Sequence, residues 1–133
     1  MRVPQAFRAG VWAALLSGAP STLHALATRR DPLEAALAAG STVLPDESRR
    51  GRLLAAAVPV HLAISLGWTL ALERAHVRGA RQGAFAGLAI AALDLGLAGR
   101  RFPRVRALPL GPQLADHVAF GAVAGWILDR SER

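Results

Sequence analysis

The sequence predicts an all-α, polytopic membrane bundle of about four transmembrane helices plus one short interfacial or re-entrant helix. Three observations carry that reading. Four stretches, Ala9–Thr28, Leu53–Leu72, Gln82–Gly99 and Ala107–Leu128, are almost free of charge, and at roughly twenty residues each is long enough to cross a hydrocarbon core. Hydrophobic residues make up 53% of the chain, mostly Ala and Leu beside plentiful Gly, whereas a water-soluble helix breaks its apolar runs with charge about every other turn. All 16 basic residues are arginine, and most stand at the ends of the apolar stretches, among them Arg8, Arg29, Arg30, Arg49, Arg50, Arg52, Arg74, Arg78, Arg81, Arg100, Arg101, Arg104 and Arg106.

The net charge of +7 therefore points to anionic lipid headgroups rather than to nucleic acid, because the positive charge is juxtamembrane instead of lying along one face. With no cysteine, disulfides, thiolate metal sites and cysteine nucleophiles are excluded. The 133 residues make a single domain, with spans at about 9–28, 53–72, 82–99 and 108–128 and a short helix at about 33–44.

Taken in order, the first stretch imitates a signal peptide, with Arg2 and Arg8 ahead of it and Ala25-Leu26-Ala27 resembling a cleavage motif. Pro20 and His24 interrupt it and more membrane-like sequence follows, so an uncleaved first span is expected. Asp31 is placed to cap a helix with Pro32 at its first position. That helix, ending before Pro45, rises only about 18 Å and is too short to span. Asp46–Arg52 reads as a polar loop. The second span carries Pro59, whose missing N–H leaves a carbonyl for neighbouring groups to satisfy. A charged turn, Glu73–Arg81, leads to the third span; a basic loop, Arg100–Arg106, leads to the fourth, which Pro112 is suited to open. Seven arginines fall on one side of this topology and nine on the other, so the positive-inside rule has no asymmetry to act on.

Folded back and forth, the chain brings its intramembrane ionisable residues to similar depths. His24, His61, Asp94 and His117 lie roughly 6 to 13 Å from one side at 1.5 Å per residue, with Asp116 somewhat nearer the surface. In span three, Gly79, Gly83, Gly87 and Ala91 form a ridge of small residues suited to close helix packing, and Asp94 continues that face. In span four, His117, Gly121 and Gly125 form the matching ridge. His61, Ser65 and Thr69 share a face in span two with Trp68 beside them, and Ser17, Ser21, His24 and Thr28 line up in span one. An unpartnered Asp at the bilayer centre costs about 2.5–3.5 kcal/mol, so Asp94 needs a partner, and His61 or His117 is the natural one.

Two readings of this layer follow. It is interhelical glue, or it is a site for a proton, ion or ligand. Three His and an Asp suit zinc or iron, and His61 with His117 have the matched depth a haem needs, yet no pair has the spacing of a local chelate. No Walker-type loop, dinucleotide fingerprint or zinc-protease motif occurs. Ser17, Ser21, Thr22 and Ser65 lack nucleophile-elbow surroundings, so catalysis is not expected. No cofactor is expected either.

Ser17-Gly18-Ala19-Pro20-Ser21-Thr22, Pro59-Val60-His61-Leu62 and Asp116-His117-Val118-Ala119-Phe120-Gly121 with Gly125 resemble a group of small bacterial inner-membrane proteins of about four helices with no assigned activity. The resemblance implies a multi-pass protein of the bacterial plasma (inner) membrane. The leading functional expectation is a structural or accessory membrane protein, self-associating through the Gly83/Gly87 or Gly121/Gly125 faces. Proton-coupled transport through the His/Asp layer is the alternative, and a haem- or metal-binding protein comes third.

Overall fold

Pro20 has no N–H to offer the Leu16 carbonyl, and its ring crowds the preceding turn. The stretch expected as one span therefore folds as two helices. In the computed structural model, which describes residues 3–131, these are α1 (Val3–Leu16) and α2 (Ala19–Ala27), of 14 and 9 residues. Asp31 then turns the chain, its Oδ1 accepting the Leu33 N–H at 2.9 Å and its carbonyl the Glu34 N–H at 3.1 Å. The short helix that follows, α3 (Glu34–Ser41), is narrower than the expected 33–44. It lies on the start of α4 (Arg50–Arg74), where a Cβ at Gly40 would fall on the Leu53 carbonyl.

Pro59 does not break α4, which runs unbroken for 25 residues. The helix ends where His76 adopts a left-handed backbone at φ 53°, with the Val77 N–H on the Leu72 carbonyl at 3.0 Å and the His76 N–H on that of Glu73 at 3.1 Å. This is a Schellman closure with His where glycine is usual. α5 (Gly79–Asp94) stops at Asp94 rather than at Gly99; a 3₁₀ turn (Ala98–Arg101) and a single helical turn (Pro103–Arg106) carry the chain to α6 (Leu110–Arg130).

The helices make four antiparallel passes. Gly10 faces Leu66 and Thr69, Gly83 faces Gly121, and Gln5 donates to the Ser131 carbonyl at 3.2 Å. α6 packs on α5, α1 and α2, and α4 on α1 and α3. Among the described residues, two segments combine the length and apolar character to cross a membrane, Arg50–Arg74 and Gly79–Arg101. The halves of the first pass are each too short, and α6, 21 residues long, carries Gln113, Asp116 and His117 in its first half.

The buried core mixes alanine and glycine with a cluster of Leu72, Ile90, Phe120, Ile127 and Leu128, and Leu53, Leu128 and Thr69 are the largest fully buried side chains. Phe7, Trp12, Leu23, Val58, Ile64, Phe85, Leu93 and Trp126 face outward on α1, α2, α4, α5 and α6. The glycine ridges explain the tightest contact. A Cβ at Gly83 would fall on the Gly121 carbonyl, one at Gly87 on the His117 carbonyl, and one at Gly125 would lie 2.6 Å from the Gly79 carbonyl. These faces pack on each other within one chain, so the surface expected to mediate self-association is already covered.

Candidate functional site: a polar layer around the broken first pass

A helix break leaves backbone groups without intrahelical partners, and two residues of the expected layer serve this one. Ala14 lies in the last turn of α1, and the His61 Nε2–H of α4 donates to its carbonyl at 2.9 Å. A carbonyl only accepts, so the ring nitrogen is the donor and the tautomer is set. Ser21 lies in the first turn of α2, and its N–H donates to Asp116 Oδ1 of α6 at 2.8 Å. Asp116 thus caps α2 from another helix, with its negative charge at the positive end of the α2 dipole. The two bonds close the break from opposite sides.

Asp94 has a separate arrangement. The Trp68 Nε1–H of α4 donates to its carboxylate at 3.1 and 3.3 Å, and His117 Nε2 of α6 lies 3.4 Å from Oδ2. The other ring nitrogen, Nδ1, is 2.7 Å from the Gln113 carbonyl of its own helix. Because that carbonyl can only accept, Nδ1 carries a proton. Nε2 then faces the Asp94 carboxylate, a contact that becomes an ion pair when the imidazole is protonated.

Of the five predicted residues, the structure joins Asp94 directly to His117 and sets Asp116 within electrostatic reach of His61 and His117. His24 stands apart, its ring making no hydrogen bond to another helix among the described residues. Depth counting missed Trp68, which lies near the far end of its span from the Asp94 level. Helical side chains lean toward the N-terminus of their own helix. On antiparallel α4 and α5, Trp68 and Asp94 therefore lean toward each other. The Ala14 and Ser21 backbone groups became partners only because Gly18 and Pro20 break the pass, and that dipeptide spacing was the available signal.

Among the described residues, no three His, Cys, Asp or Glu side chains are placed to hold a metal ion. His61 faces Ala14 and Asp116 faces Ser21, so a haem on His61 and His117 would require both rings to leave the bonds described. Neither of two surface grooves, one at residues 43–49 and one between α1 and α6, is lined by the layer.

Ion pairs gather outside the apolar region. Arg50 engages Asp31 with both its terminal nitrogens, one at 2.9 Å, and ties the turn before α3 to the start of α4. The Arg50 guanidinium, assisted by the Leu33 N–H, holds the Asp31 carboxyl down at about 2. The Arg49 guanidinium and its backbone N–H likewise hold Glu47 at about 2. At the α4–α5 turn, Glu73 and Arg78 pair at 3.1 Å with little solvent contact.

Set beside known proteins, the chain matches no family model, no curated protein and no solved structure.

Proposed function

We propose that this chain is a multi-pass protein of the bacterial inner membrane with a structural or accessory role, its four helical passes all embedded. The observation that carries the reading is the apolar surface: large apolar side chains point outward on every pass. Only 22% and 28% of the two most apolar segments is buried, which supports lipid rather than a water-soluble core as their surroundings. A single contact with a second copy would leave most of this belt in water. Lipid covers all of it. The polar residues of α6 and the broken first pass are compatible with embedding because they bond to partners on neighbouring helices.

The accessory role follows from how the layer is used. His61 and Asp116 are spent on the backbone break, and Asp94 is held by Trp68 and His117. Interhelical bonds of this kind contribute about 0.6–2 kcal/mol each in membranes. A second reading, proton exchange at the Asp94–His117 pair, is favoured by the 3.4 Å approach of the imidazole to the carboxylate.

Vesicles containing the protein, loaded with a pH-sensitive dye and given a pH step, separate the two. The accessory role predicts that they hold the gradient as long as protein-free vesicles, and that Asp94→Asn inserts and melts like the wild type. A leak abolished by Asp94→Asn in a folded protein would replace it with the proton-exchange reading.

A further inference from the structure

The groove between α1 and α6 has an apolar wall and a cationic rim. Trp12 and Leu16 line it from α1, and Val123, Trp126 and Ile127 from α6, enclosing about 470 Å³. Arg8 and Arg130 stand at its edge, each four residues from a tryptophan and each on the chain-terminal side of it. The two helices run antiparallel, so both arginines sit at the same end of the bundle, near Ser131. The Arg130 guanidinium lies 4.1 Å from the Trp126 ring centroid, which keeps this exposed side chain beside the tryptophan wall of the groove. Arg8 uses one nitrogen on Ser131 Oγ at 3.2 Å. A guanidinium has five donors, so most of its fork stays available.

We infer that this groove holds one anionic phospholipid of the adjoining leaflet, with an acyl chain along the tryptophan wall and the phosphate between Arg8 and Arg130. Charge complementarity selects that occupant. An apolar peptide or a second copy of this chain would cover two arginines without neutralising them, whereas an anionic lipid offers the hydrocarbon and the charge at the matching depth. Tryptophan at headgroup level and arginine just beyond it are the arrangement lipid interfaces favour. The inference rests on the membrane reading above and adds a defined site to it.

The test uses the full chain reconstituted with equal amounts of phosphatidylglycerol and phosphatidylcholine, with co-purified lipid counted by native mass spectrometry. Wild type should retain phosphatidylglycerol preferentially, and the Arg8→Gln/Arg130→Gln double variant should lose that preference by about 25-fold, five-fold per arginine. Arg104→Gln/Arg106→Gln, at the opposite end of the bundle, should retain it. Equal retention of the two lipids, or equal losses in the two double variants, would overturn the site and leave the membrane reading standing. Release of the unmodified protein from native membranes by alkaline carbonate would overturn both.

Discussion

Asp116 and His61 act through backbone groups that Gly18 and Pro20 expose, so their worth lies in what they leave unpaired when removed. Replacing Asp116 with Ala strands the Ser21 N–H inside the bundle and should cost about 1–3 kcal/mol. Asn, which keeps an oxygen acceptor, should recover most of that loss. Denaturant titration of the detergent-solubilised variants distinguishes them, and equal losses for Ala and Asn would contradict the capping role. His76 makes the opposite prediction. Its φ of 53° is a backbone conformation that disfavours residues with a Cβ, so His76→Gly should stabilise the protein by about 1 kcal/mol in the same titration.

The α3–α4 clamp shows how an element is held by exposed charge. Asp31 sits at about 2 instead of its ordinary 3.8, and Glu47 at about 2 instead of 4.5. Folding lowers both values, so their contribution is complete above the unfolded values. It is lost as pH falls through about 2, because the unfolded carboxyls take up protons first. Thermal melting should be insensitive to these groups from neutral pH to about 5 and should fall between about 4 and 2. Arg50→Gln should flatten part of that decline. The α5–α6 contact is held by shape instead. Gly83→Ala sets a methyl on the Gly121 carbonyl and should cost about 1–3 kcal/mol through overpacking. A Cβ at Gly67, by contrast, meets nothing within 4 Å, and Gly67→Ala should stabilise α4 by about 1 kcal/mol. This contact was legible from the four-residue spacing of Gly83, Gly87, Gly121 and Gly125. That the two ridges meet each other was not, because spacing locates a packing face without naming its partner. Pro20 was visible as an interruption of the first stretch, but nothing in the sequence set it apart from Pro59, which left α4 whole. A proline's effect depends on what satisfies its surroundings.

At the scale of the molecule, composition made the helical class and the apolar belt readable, and among the described residues two of the four expected spans fall in segments long and apolar enough to cross a membrane. The polar layer was legible as a set of depths, but its pairing was decided by side-chain lean and by backbone groups that no residue pattern displays. The central claim is that all four passes cross the bilayer and that the two long connections, through α3 and through Pro103–Arg106, share one side. Those connections touch each other in the fold. The chain has no cysteine, so single thiols can be introduced at Ser48, Arg104 and Ala75 without a background. Labelling with a membrane-impermeant maleimide before and after permeabilisation then reports the side of each. The account predicts that the thiols at Ser48 and Arg104 behave alike and the one at Ala75 oppositely. Labelling of all three before permeabilisation, or a split between Ser48 and Arg104, would contradict it.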